Sequence, residues 1–270
     1  MRRLHATTPE ATRITTEVWK TGITKIDADR IAVRGYDLAE LMGRMTFGQA
    51  VYLLFRGELP SDAIGRLMDA MLVAWIDDGA ASPPAVAART VASTGATISQ
   101  AVATGVASFN RFHGGGIADG ARQLRELTTY ARQASLAIED AASTCLAMLR
   151  ERGERIAGFG HRRPSDDARP SRLLAYAREA NVVGDHIRAA HAVERELADS
   201  GAAMPMNLDG AMAAVLADLG FEPATMSGIV MIARLPGLIA HVDEEQTRQH
   251  PLRAIDPVNH EYDGPPPRSP

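Results

Sequence analysis

Three short clusters place an ionisable side chain where backbone amides can approach a ligand: Phe112-His113-Gly114-Gly115-Gly116, Gly158-Phe159-Gly160-His161-Arg162-Arg163 and Asn207-Leu208-Asp209-Gly210. Two imidazoles and a carboxylate beside glycine could exchange protons with a bound ligand, which is general acid–base chemistry. Each cluster also has a plain structural explanation. A histidine ahead of three glycines makes a turn, Gly-x-Gly-His is common, and Asp209 suits the N-cap of a helix over 209–219. Other ionisable residues read as bland. His186 and His191 are five residues apart, off a shared helical face, and read as surface histidines with no metal between them. His5, His250 and His260 lie in terminal segments, and His241 reads as a packed or capping residue. Asp243-Glu244-Glu245 reads as a solvated helix end, and Cys145, among Ala and Leu, as a buried inert thiol. Met204 and Met206 flank Pro205 and are either core or pocket lining.

The elements that must position these clusters are mostly helical. Thr46 and Gln49 have capping-box spacing ahead of Ala50, Val51, Leu53 and Leu54, and Gly57 is a stop signal. Ser61 precedes Ile64, Leu67, Met68, Met71, Leu72 and Trp75, whose three-and-four spacing puts all six on one face until Gly79. Further helical patterns cover 86–111, 116–132, 134–152, 170–198, 209–219 and 223–246, with Gly, Pro or charged residues between. The most hydrophobic run, Gly228 to Val242, is interrupted by Arg234 and Pro236 and reads as a buried helix, not a membrane span. Residues 12–34 hold short β-branched groups (12–16, 23–26 and 31–33) that suggest a small sheet or extended arm. The tail Gly264 to Pro270 reads as an extended, poorly ordered end.

Composition agrees. Of 270 residues 46% are hydrophobic and 23% charged, a globular balance, and the net charge of −4 argues against a basic nucleic-acid footprint. Aromatic residues are 5%, so Ala, Leu, Val, Ile and 11 Met carry the apolar content, a helix-favouring mixture. A lone cysteine makes no intrachain disulfide or multi-cysteine zinc site. The N-terminus lacks the apolar core of a signal peptide, and a cytoplasmic location is expected.

Taken together and in order, the clusters resemble the citrate synthase family. Arg34-Gly35-Tyr36-Asp37-Leu38, then Thr46-Phe47 through Tyr52-Leu53-Leu54 to Gly57-Glu58-Leu59-Pro60, looks like its N-terminal signature. His113-Gly114-Gly115, Gly160-His161-Arg162 with Asp167-Ala168-Arg169, and Asn207-Leu208-Asp209 match its His-Gly-Gly, Gly-His-Arg with Asp-Pro-Arg, and Asn-Val-Asp segments. Ala233 to His241 resembles the helix that supplies a substrate-binding arginine.

The resemblance implies an all-α, two-domain citrate synthase-like fold with a short N-terminal β element. Residues 1–115 and 207–270 would form a large domain and 116–206 a small one, closing over a cleft. It implies carbon–carbon bond formation or cleavage between an acyl-CoA enolate, acetyl-CoA for instance, and a 2-oxo acid. Asp209 would be the base at the thioester methyl, His113 the donor to the enolate oxygen, and His161 the group protonating the new alkoxide. Arg169, Arg234 and Arg253 would hold substrate carboxylates, Arg253 reaching a neighbouring subunit's site. Gly158, Phe159, Gly160 and Arg162 would bind coenzyme A, the co-substrate, with no metal. A homodimer through the helices near 98–110 and 211–246 is implied, with no nucleic acid or membrane as partner.

Two features depart from the family. Where members carry a histidine that hydrogen-bonds the oxo acid, aligning on Ala87-Ala88-Arg89 to Thr94 puts Asp78. Ionised, it would repel a substrate carboxylate by roughly several kcal/mol if desolvated. The electrophile then carries a different group there, Asp78 is protonated or turned away, or the chain is a CoA-binding or regulatory paralogue without turnover. The chain is also shorter than typical citrate synthases and resembles citryl-CoA lyases, including the lyase module of ATP-citrate lyase.

Overall fold

The computed structural model describes residues 19–160, 167–202, 204–253, 263–266 and 268–269. It divides into two compact units, at residue 45/46.

In the first unit β1 (Thr24–Ile26), β2 (Ile31–Val33) and β3 (Tyr36–Asp37) form an antiparallel meander in the order β1-β2-β3. The register pairs Thr24 with Val33 and Ala32 with Asp37. Arg34 and Gly35 take positive φ at the β2–β3 turn. Asp37 then caps α1 (Leu38–Leu41), accepting from the amides of Ala39 and Glu40. This is the expected small β element; the group at 12–16 lies outside the described residues.

The second unit is helical. α2 (Phe47–Arg56) opens on the expected capping box of Thr46 and Gln49 and ends at Gly57 in the left-handed region. α3 (Asp62–Ala74), capped by Ser61, buries Leu67, Met68, Met71 and Leu72, and Trp75 at its C-cap is 6% exposed. The helix therefore stops one turn short of Gly79. The pattern over 86–111 resolves into α4 (Pro83–Ser93) and α5 (Ile98–Ala107), because Gly95 at φ +89° turns the chain and Thr97 starts a second capping box with Gln100. That over 170–198 likewise divides into α8 (Arg169–Glu179) and α9 (Asp185–Asp199).

Between these pairs lie α6 (Gly116–Ala134) and α7 (Ile138–Glu151). α10 (Leu208–Asp218) is buried on every side, with Gly210 through Ala217 all inaccessible, and packs on α6, α8 and α9. Gly120 of α6 and Ala213 of α10 allow that close approach. α11 (Pro223–Arg248) continues through Pro236 and lies against α3, α4, α5 and α6. Among the described residues it alone has the length and apolarity of a membrane-crossing helix. Its packing and the buried Arg234 are those of a core helix.

Two sequence expectations are corrected. Glu245 is no solvated helix end: it is 1% exposed and accepts from Arg89 Nε at 2.7 Å and from Arg253 Nε and Nη2 at 2.7 and 2.6 Å. His186 is no free surface histidine, because Asp218 bonds its Nδ1 at 2.8 Å while also accepting from the amides of Gly184, His186 and Ile187 at the start of α9. A carboxylate there satisfies orphan donors at a helix N-terminus, and its pKa is held low by those bonds despite burial.

Candidate active site

His113 closes a tight loop: Asn110 and His113 exchange backbone hydrogen bonds of 2.8 and 3.0 Å, leaving Arg111 and Phe112 at the tip. The imidazole is tilted over Phe109, ring centres 5.5 Å apart. Gly114 needs a positive φ, +82°, and any Cβ on it would strike the Phe109 ring at 2.7 Å. Gly116 begins α6, and a Cβ there would lie 2.9 Å from Asp209 Oδ2. The third glycine of the run thus makes room for the Asp209 carboxylate.

Asp209 is not the N-cap of α10. Asn207 takes that place, its Oδ1 accepting from the Gly210 amide at 3.2 Å, so the Asp209 carboxylate, in the first turn, is released for other contacts. Asn207 also ties in the second cluster. Its Nδ2 donates to the Gly160 carbonyl at 2.8 Å and its amide to the Gly158 carbonyl at 3.0 Å, while Phe159 bridges Met206. Gly158, at φ +87°, crosses Gly210 so closely that neither position has room for a side chain. Met206 is buried and Met204 packs beneath Gly160. His161 and Arg162 lie outside the described residues.

The loop after α3 completes the arrangement. Arg234, its side chain 7% exposed, stacks over the Trp75 ring at 4.6 Å and points Nη2 at Asp78 Oδ1, 3.3 Å away. Asp78 Oδ2 lies 3.9 Å from His113 Nε2. Burial pushes the Arg234 guanidinium below its ordinary pKa, against the opposing pull of Asp78, Asp77 and Asp209. Its Nε and Nη1 are buried with no hydrogen-bond partner among the described residues, as is Trp75 Nε1. Unsatisfied buried donors carry a desolvation penalty that a ligand acceptor would remove. Arg169, at the start of α8, is held two-pronged by Asp167 at 2.9 and 2.8 Å and reaches the Ala74 carbonyl at 3.3 Å. That pairing raises its pKa, with smaller contributions from Asp78 and Asp209.

His113, Asp78 and Arg234 stand in line, Asp209 and Arg169 lie within electrostatic reach of Arg234, and beside it lies a buried indole that sequence reasoning assigned only to the core. Arg253 stands elsewhere: it is paired with Glu245, three helical turns or about 16 Å along α11 from Arg234. Sequence reading also missed how the Asp78 loop is held. Asp77 accepts from the Gly79 amide at 2.9 Å and meets His241 Nε2 at 3.0 Å, and Gly237 leaves no space for a Cβ against Ile76 and Asp77. Arg234, Gly237 and His241 are spaced i, i+3, i+7, one stripe of α11, and that spacing was the available signal. A cavity of about 660 Å³ beside Gly115 and Ala157 carries Arg111, Arg122, Arg152 and Arg155, with three carboxylates among them.

Comparison with known proteins bears on the fold and the family. Residues 61–255 match the family model "Citrate synthase, C-terminal domain". Citryl-CoA lyase from Hydrogenobacter thermophilus superposes with a TM-score of 0.84 at 39% identity, over 94% of this chain and 97% of that one. ATP citrate lyase of Methanosaeta concilii, determined in complex with (3S)-citryl-CoA, shares the fold, with a TM-score of 0.79 at 20% identity, over 97% of this chain and 47% of that one. Citrate synthase of Haloferax volcanii is 25% identical over 217 residues, 78% of this chain and 55% of that protein, so the chain spans about half the length of this curated relative. The mostly helical fold, the matched family model and the 39% identity over nearly the whole length of a citryl-CoA lyase agree, and the chain belongs to the citrate synthase family.

Proposed function

We propose that the protein makes or breaks the carbon–carbon bond between an acyl-CoA enolate and a 2-oxo acid, with citryl-CoA cleavage the direction its similarity to a citryl-CoA lyase favours. The carrying observation is the Asp209 carboxylate packed against the glycine run that follows His113. A carboxylate beside an imidazole is what proton transfer at a thioester methyl needs: Asp209 takes or returns the proton on carbon, and His113 donates to the enolate oxygen. His161 handles the proton on the alcohol oxygen. Arg234 and Arg169 bind carboxylates through their planar guanidinium groups. The Gly158–Gly160 loop with Arg162 takes coenzyme A, whose phosphates suit the arginine-lined cavity beside Ala157.

Residues 116–206 would close on 1–115 and 207–270 to exclude water from the enolate, and two copies would associate. The test is to incubate the protein with acetyl-CoA and a panel of 2-oxo acids, then with citryl-CoA, following free thiol and oxo acid. Release of oxo acid with acetyl-CoA supports cleavage, and thiol without oxo acid indicates hydrolysis. CoA binding without any turnover would favour a regulatory paralogue, the reading that an Asp78 carboxylate on the substrate arginine otherwise supports.

A further inference from the structure

Asp78 takes no part in the proton transfers assigned to Asp209 and His113, yet it stands between His113 and Arg234 with its side chain 42% exposed. The loop that carries it is held in place. The neighbouring Asp77 is fixed by the Gly79 amide and by His241, and α11 abuts the loop at Gly237. Arg234 already pairs Nη2 with Asp78 at 3.3 Å, while Nε and Nη1 are buried without a partner among the described residues. With Nε and Nη1 enclosed, a ligand carboxylate meets Arg234 at its Nη2 edge and so settles beside the Asp78 carboxylate.

Two ionised carboxylates so close repel, unless the ligand places a hydrogen-bond donor between them. A 2-hydroxy carboxylate does so, because its hydroxyl sits on the carbon next to the carboxylate and has a hydrogen to give. A 2-oxo carboxylate puts an acceptor at the same point and adds to the repulsion. We infer that Asp78 is a specificity-determining hydrogen-bond acceptor that selects the hydroxylated carbon–carbon adduct over the free 2-oxo acid. The site is thereby biased toward the substrate of cleavage. This rests on the placement of carboxylates by Arg234 and Arg169 described under Proposed function.

The experiment is calorimetric titration of the full chain with 2-hydroxysuccinate, each enantiomer, and with 2-oxosuccinate, which differ only at the carbon facing Asp78. The wild type should bind one hydroxy acid about tenfold more tightly than the oxo acid, the worth of one charge-assisted hydrogen bond. Asp78→Asn, whose amide both donates and accepts, should bring the ratio near one, and Asp78→His should invert it. A ratio taken within one variant is insensitive to general weakening or partial unfolding. A wild-type ratio near one, or a ratio that survives Asp78→Asn, overturns the inference. If it does so while the protein still exchanges acetyl-CoA methyl protons, only the role of Asp78 falls. If neither acid binds and exchange is absent, the reading of the whole site falls with it.

Discussion

Replacing Gly116 with alanine separates the chemistry of Asp209 from the stability of the helix that faces it. The added Cβ would lie 2.9 Å from Asp209 Oδ2, where ordinary contact begins near 3.4 Å, so the carboxylate must withdraw by about half an ångström. The atom that gives way is the far end of a side chain, so the backbone need not move. Gly116 is also the first residue of α6, and alanine is the better helix former by up to about 1 kcal/mol, less at a terminus. The melting temperature should therefore hold or rise by a degree or two. Proton transfer is less forgiving: misplacement by 1 Å costs about 100-fold, and half that distance about tenfold. The assay is deuterium incorporation into the acetyl-CoA methyl in heavy water, followed by NMR, beside thermal unfolding. An exchange rate indistinguishable from wild type would refute the placement of the base. A slower rate accompanied by a melting temperature lower by several degrees would refute it equally, since the displacement would then be in the backbone.

Three further outcomes are expected. Asp209→Asn, which keeps the side-chain shape and leaves the Asn207 cap intact, should slow methyl exchange by about a thousandfold with little change in coenzyme A affinity measured by titration. Gly210→Ala drives a Cβ into the Gly158 backbone, which cannot yield cheaply, so stability should fall by about 1–3 kcal/mol and exchange should fall with it, unlike Gly116→Ala. Glu245→Gln should cost about 2–3 kcal/mol in denaturant unfolding, since it leaves Arg89 buried beside a neutral amide. The Arg253 and Arg89 bonds hold the Glu245 pKa below its ordinary value. Its stabilising contribution is therefore complete above about pH 5, past the unfolded carboxylate value, and is lost as pH falls through the lower folded value. The gap between wild type and Glu245→Gln should close on acidification, and a gap independent of pH would contradict the assignment.

The helices were legible where local chemistry and burial coincide. Thr46 with Gln49 and the apolar face from Leu67 to Trp75 both predict what forms, because a cap and a single greasy stripe are properties of adjacent residues. The two long patterns over 86–111 and 170–198 concealed breaks at Gly95 and Asn181, since an apolar period continues across a turn when both helices line one core. His113 and Asp209 stood out through their glycines, and the resemblance joined them. Trp75, His241 and the Glu245 cluster were read as bland because their partners lie 8 to 164 residues away in sequence. A carboxylate that is solvated in isolation becomes a buried anchor only once α4 and the segment at 252–253 arrive beside α11. Asp78 was visible as an anomaly, but its grip on Arg234 depends on the tertiary meeting of α3 and α11.

Where Gly158 crosses Gly210, two main chains touch with nothing but hydrogen between them. A lever results. Its long arm is the 158–160 segment, stitched to 205–207, and its short arm ends one residue from the Asp209 carboxylate. A cosubstrate that presses on the loop would tilt the first turn of α10 with it, so that seating the nucleotide end and aiming the base become a single movement.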